Sequence, residues 1–169
     1  MNDRGRPWRP QADVPRYCDI ALPPYRYLPG VTPHPKTDPR GHSRNGSLVA
    51  ADPAVAFLQG VDLYNHGCWW EAHEAWEFVW MREKDARKDA LQGLIQLANA
   101  HLKLELGKRN AVRRLKAEAL ALLRRAGEVR VDLPDLMARS DIYLTARLGQ
   151  ADLRHDLRGY PYLQLLGGQ

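Results

Sequence analysis

The stretch from Trp69 to Trp80 constrains the fold most. It contains four of the five tryptophans of the chain, together with one histidine and three glutamates. Indole rings favour the protein interior, whereas a carboxylate is buried only where a partner compensates its lost hydration. The segment is therefore either a core helix whose polar groups are satisfied or the acidic wall of a functional site.

From Asp52 onward the apolar residues recur at helical spacing. Asp52 followed by Pro53 is typical of a helix N-cap with proline in the first turn, and Gly67 and Gly107 are typical helix stops. The pattern predicts helices over residues 53–67, 69–82, 87–106, 110–126 and 134–149, the last with a break at Ser140-Asp141 as an alternative. Short turns make neighbouring helices antiparallel. We expect an all-α fold, a single helical bundle of about five helices over residues 48–169.

The first 47 residues differ from the rest of the chain. Nine of the twelve prolines lie within the first 50 residues, which disfavours helices and central strands there. Several tyrosines and aliphatic side chains nevertheless make the segment too apolar for a solvated tail. We predict that residues 1–14 are disordered and that 15–47 form an extended, Pro-rich arm packed on the bundle.

Composition excludes several classes of protein. No apolar run approaches the roughly 20 residues of a membrane span, and the N-terminus lacks the apolar block of a secretory signal. Two cysteines far apart indicate neither a disulfide framework nor a zinc knuckle. A cytoplasmic protein with reduced thiols is expected.

Helical geometry groups the polar side chains. On the second predicted helix His73 falls in the middle of the aromatic face, Glu77 lies one turn further on, Glu74 comes next round the helix and Glu71 is nearly opposite. The third predicted helix is apolar almost all round, and its narrow polar stripe consists largely of uncharged amides: Gln92, Gln96 and Asn99. Amides in a row favour hydrogen bonds to protein, and we expect this row to face Glu74 and Glu77.

The same residues suggest several kinds of metal site. His73 to Glu77 resembles half of the HExxH zinc-hydrolase motif, with glutamate in place of the second histidine. A ferritin-like di-iron site is disfavoured because the chain has no Glu-x-x-His. A single divalent metal held by His73 and Glu77, with His34 or His42 of the arm, remains an option.

A structural interpretation competes with the metal site. In that case His73 is a core histidine satisfied by Glu77 or an amide, and the acids near the helix start interact with the helix dipole. The region from Gly107 to Arg130 carries eight basic and two acidic residues. It lacks aromatic residues for base stacking, which disfavours nucleic acid and favours a solvated face or an acidic protein partner. Homo-oligomerisation is left open by the separate acidic and basic regions.

Two motifs resemble a known family. Residues 63–80, which include Asn65-His66-Gly67 and the tryptophan segment, and residues 91–100, followed by Lys103, Gly107 and Asn110, resemble the domain of unknown function 309 family. The arm is similar to an extension carried by some bacterial members. The resemblance implies a small all-helical bundle with no established activity. It also directs attention to the polar positions of the motifs, namely Glu71, His73, Glu74, Glu77, Gln92 and Gln96.

Two hypotheses for function remain. In the first, a cleft between the second and third helices binds a small cationic or hydrogen-bonding ligand or a metal, with Glu71, His73, Glu74, Glu77, Gln92, Gln96 and Asn99 as candidate binding residues. In the second, the protein is a non-catalytic interaction module whose polar cluster fixes the helix register. Neither a catalytic residue nor a substrate follows from the sequence.

Overall fold

The computed structural model describes residues 14–167 and contains five helices in that range. They are α1 (Pro53–Asn65), α2 (Trp69–Trp80), α3 (Asp85–Glu105), α4 (Arg109–Arg124) and α5 (Leu133–Leu148). The prediction of an all-α bundle is confirmed. The predicted disorder of residues 1–14 falls almost entirely outside the described residues.

Local signals account for several helix ends. The Asp52 carboxylate accepts hydrogen bonds from the amides of Ala54 and Val55, at 2.7 and 3.1 Å, and thereby caps α1. Gly67 and Gly107 end α1 and α3 with φ of 73° and 72°, a left-handed conformation that favours glycine. The fifth helix runs through Ser140 without a break.

The helices pack in chain order, each against the next. The central helix, α3, buries apolar side chains on several sides, as its composition predicted: Leu91, Leu94, Ile95, Leu97, Leu102 and Leu104. None of the five helices combines the length with the apolar character that crossing a bilayer would require, as far as residues 14–167 are concerned.

The segment before α1 contains turns but neither helix nor strand in residues 14–52, and it is tied to the helices through buried acids. Arg16 Nε donates to Asp62 of α1 at 2.9 Å, and Arg26 pairs with Glu105 of α3 at 3.2 Å. Arg26 and Glu105 keep only 5% and 6% of their side-chain surface exposed, so this ion pair lies inside the protein. Two arginines of the arm thus neutralise carboxylates that are buried on the helices. The boundary at residue 47 stays a prediction.

The chain beyond α5 also returns to the bundle. The side chain of Asn65 donates to the Leu163 carbonyl at 2.9 Å and accepts from the Leu163 amide at 2.8 Å. Trp69 Nε1 donates to the Tyr160 hydroxyl at 3.0 Å. Within the described residues this tail adds one isolated antiparallel bridge, between Val131 and Leu165. Residues 160–165 therefore close one side of the core.

Candidate metal centre on the second helix

The buried face of α2 is centred on small residues. Ala72, Ala75 and Val79 are fully buried, with Trp69 and Trp76 on one flank. His73 lies about a third of a turn from the centre of this face and is half-buried, with 22% of its side chain exposed. The expectation that His73 lies in the middle of the buried face is therefore wrong. The alanines allow neighbouring helices to approach α2 closely, while the larger indoles of Trp69 and Trp76 pack beside this contact.

Three polar side chains of α2 converge on the side of the helix that faces away from this buried face. One ligand atom from each of His73, Glu74 and Glu77 lies within 4.8 Å of the other two. All three residues are half-buried. His73 and Glu77 are one turn apart, so the helix itself brings them together. In the part of the chain that the structure describes, no other group of His, Cys, Asp and Glu residues is arranged to hold a metal ion.

The carboxylate of Glu74 has two close polar neighbours, His73 and Lys36. His73 Nδ1 lies 3.4 Å from Glu74 Oε1, a long contact between the imidazole and the carboxylate. The pKa of Glu74 is lowered to about 2, first by the His73 imidazole and then by the ammonium of Lys36. Glu74 is therefore a carboxylate at neutral pH. Glu77 has neither a side-chain hydrogen bond nor an ion pair with any residue between 14 and 167.

A cleft opens beside the two acids. It has a volume of about 480 Å³ and lies between α2 and the arm. Its walls are Glu74, Glu77, Phe78 and Met81 on the helix, and Lys36, Ser43, Arg44 and residues 46–49 on the arm. The acids therefore face the arm, and no hydrogen bond within residues 14–167 joins them to Gln92, Gln96 or Asn99, which are half-buried on α3.

Glu71 has different surroundings from the other two glutamates. It is fully buried, and its Oε1 accepts from the backbone amide of Tyr27 at 2.8 Å and from His42 Nε2 at 3.1 Å. His42 Nδ1 in turn lies 2.8 Å from the hydroxyl of Ser43. The second oxygen, Oε2, has no hydrogen-bond partner in the described chain. Glu71 therefore fastens the arm to α2.

The other arm histidine also lies apart from the cluster. His34 Nδ1 accepts from the backbone amides of Lys36 and Thr37, at 3.2 and 3.3 Å. Its ring packs edge-on against Tyr27 and Trp70, with centroid distances of 4.9 and 5.5 Å. The group of His73, Glu74 and Glu77 includes neither His34 nor His42.

Comparison with known proteins agrees with the resemblance seen in the sequence. Residues 57–115 match the family model described as Domain of unknown function (DUF309). Over this region, which is about a third of the chain, the protein is similar to the DUF309 family. No curated protein and no solved structure matches the chain. The DUF309 segment contains the whole His73, Glu74 and Glu77 cluster, whereas the arm that borders the cleft lies outside it.

Sequence reasoning missed a second polar group inside the bundle. His101, in the DUF309 segment, is fully buried, with Nε2 2.9 Å from the hydroxyl of Tyr64. His155, from the tail, lies with its Nε2 3.0 Å from the His101 carbonyl and its Nδ1 2.9 Å from the hydroxyl of Tyr143. Burial lowers the pKa of His101 to about 3 and also lowers that of His155, so both rings are neutral. The burial of His101 could have been predicted, because α3 is apolar almost all round. No feature of the sequence indicated that His155 packs against it.

Proposed function

We propose that this protein binds a divalent transition-metal cation through His73, Glu74 and Glu77. The observation that supports the proposal is the convergence of three ligand atoms within 4.8 Å. Ligand atoms around one such cation lie about 2.0–2.2 Å from it, so modest rotations of half-buried side chains bring these three together.

The donor set favours particular metals. One imidazole and two carboxylates suit Zn²⁺, Mn²⁺ or Fe²⁺, whereas Mg²⁺ prefers an all-oxygen shell. The Glu77 carboxylate has no hydrogen-bond partner in residues 14–167, so binding a cation would break no protein hydrogen bond of this group. Three protein ligands leave positions for water or for a ligand in the adjacent cleft. A bound cation would lower the pKa of such a water.

A structural role for some of the polar residues is supported by Glu71. This carboxylate is fully buried and bonded to the arm, which fits the second hypothesis, that polar groups fix the architecture of a non-catalytic interaction module. We therefore assign Glu71, with His42, to fastening the arm. Gln92, Gln96, Asn99 and His34 stay outside the proposed metal set.

Removal of one proposed ligand tests the metal site. Metal content of purified protein, and titration with Mn²⁺ and Zn²⁺, should show about one equivalent bound to the wild type. Glu77→Gln should weaken binding at least about tenfold, because an amide is a poorer ligand than a carboxylate. The free energy of unfolding without metal should not fall, since Glu77 has no side-chain partner among the described residues.

The matched control is Glu83→Gln. Glu83 lies just beyond α2 and pairs with Arg87, away from the cluster, so this variant changes the net charge equally and should bind metal like the wild type. A wild type that binds no metal at micromolar concentration would overturn the proposal. Equal binding by the wild type and Glu77→Gln would also overturn it.

A further inference from the structure

One of the proposed metal ligands, Glu74, already forms an ion pair with a lysine of the protein itself. The ammonium of Lys36, from the arm, pairs with Glu74 Oε2. It also lies 5.6 Å from the ring centroid of Trp70, within range of a cation–π interaction. One of the three groups that would hold a metal is thus neutralised by the arm.

The turn that presents Lys36 is closely packed. The amide of Asp38 donates to the His34 carbonyl at 3.1 Å, and the amide of Ser43 donates to the Pro35 carbonyl at 3.0 Å. A Cβ atom at Gly41 would lie 2.2 Å from the Pro35 carbonyl oxygen, so the two ends of the turn approach as closely as glycine permits. The position of Lys36 is therefore set by the fold of the arm.

A divalent metal ion and the Lys36 ammonium would repel each other if both contacted Glu74. A divalent ion at the cluster would lie within a few ångströms of the Lys36 ammonium, and like charges at such distances repel. The Lys36 side chain is 52% exposed, so its ammonium can rotate into water at little cost. We therefore expect the metal ion to displace the Lys36 ammonium from Glu74.

We propose that Lys36 is a built-in competitor for the metal site, and that a divalent cation binds Glu74 only by displacing it. This inference rests on the proposed function and adds regulation to it. The affinity for the cation is lower while the arm holds Lys36 against Glu74. A conformational change that moves the turn at residues 34–41 away from α2 would raise this affinity. The competition also weakens in high salt, because the Lys36 pair is partly exposed.

The experiment compares Mn²⁺ binding to the full-length wild type, Lys36→Gln and Arg40→Gln at low ionic strength. Lys36→Gln should bind about three- to tenfold more tightly, since a competing charge is gone. Arg40 lies on the same turn but is 77% exposed and pairs with Asp38. Arg40→Gln removes the same charge without touching Glu74, and its affinity should stay within about twofold of the wild type.

A second measurement follows Lys36 directly. Acetylation of lysines by an activated ester, quantified by mass spectrometry, should increase at Lys36 when Mn²⁺ is added to the wild type. Labelling at Lys103, which lies outside the cluster and the cleft, should stay unchanged.

The outcomes separate the two proposals. If the wild type binds Mn²⁺ and Lys36→Gln binds no more tightly, competition by Lys36 is refuted while the metal site stands. If Arg40→Gln gains as much affinity as Lys36→Gln, only net charge matters and the competition is again refuted. If neither the wild type nor Lys36→Gln binds, both proposals fail.

Discussion

Glu71 and Glu77 lie on the same helix and have opposite surroundings. Glu71 is fully buried and accepts from the arm, whereas Glu77 is half-buried beside a cleft and has no partner among the described residues. Helical spacing placed Glu71 nearly opposite His73 on the helix, and the family resemblance nevertheless grouped it with Glu77 as a candidate binding residue. They did not predict the division of roles, because the burial of Glu71 depends on Tyr27 and His42, which are distant in sequence.

The arm contact of Glu71 predicts a large effect of its removal. Glu71→Ala should lower the free energy of unfolding by about 3 kcal/mol, because it leaves the buried amide of Tyr27 without an acceptor. Glu71→Gln keeps the shape and one acceptor oxygen and should cost about half as much. Urea unfolding measures both values, and amide exchange at Tyr27 should accelerate in the alanine variant.

Glu118→Ala is the control, since Glu118 lies on α4 in an exposed pair with Arg114. Its effect should stay within about 0.5 kcal/mol. A Glu71→Ala variant as stable as Glu118→Ala would show that the buried carboxylate does not fasten the arm.

At the level of elements, helix ends were more predictable than helix rotation. The Asp52 cap and the glycine stops are local signals, so the predicted starts and ends agree with the structure to within about two residues. The rotation of α2 depends on which neighbours approach it, and small residues decide that approach. Gly60 of α1 illustrates this: a Cβ atom there would lie 2.2 Å from Trp76 Nε1.

Gly60→Ala should therefore destabilise the contact between α1 and α2. The added methyl group would displace the indole of Trp76, which is fully buried and donates to the Phe57 carbonyl at 3.2 Å. The cost of overpacking, about 1–3 kcal/mol, should exceed the gain in helix propensity from alanine. Thermal or urea unfolding measures the loss.

Gly46→Ala is the matched control, because no atom lies within 4 Å of a Cβ at that position. Its free energy of unfolding should change by less than about 0.5 kcal/mol. If Gly60→Ala proves as stable as this control, the close approach of α1 to Trp76 is not a constraint on the fold.

At the level of the whole molecule, the arm and the tail complete a core that the helices leave open. His155 of the tail and His101 of α3 lie in one cluster of rings with Tyr143 and Tyr160. The helical content and the bundle were predictable from periodicity. The return of the tail was not predictable from periodicity, since no spacing rule places His155 against His101.

Two neutral histidines, the fully buried His101 and the half-buried His155, make stability depend on pH. The pKa of His101 is about 3 in the folded protein against an ordinary value of 6.5, and that of His155 is also lowered. Between these values the unfolded chain binds more protons, so this contribution to stability is complete above pH 6.5 and declines as the pH falls toward 3. The decline should approach about 1.4 kcal/mol per pH unit for each histidine.

Urea unfolding at pH 7, 6 and 5, together with NMR titration of the His101 ring, measures this dependence. The His101 resonances should not titrate above pH 5 while the protein stays folded. A free energy of unfolding that is equal at pH 7 and pH 5, or a His101 ring that titrates near 6.5, would contradict the burial of a neutral imidazole.

The most direct test of the metal site is a crystal structure of the full chain soaked in Mn²⁺, with anomalous scattering recorded to locate the ion. We expect one strong anomalous peak about 2.0–2.3 Å from ligand atoms of His73, Glu74 and Glu77. The Lys36 ammonium should have moved away from Glu74. No peak at these three residues, with Lys36 still paired to Glu74 at saturating Mn²⁺, would contradict this expectation.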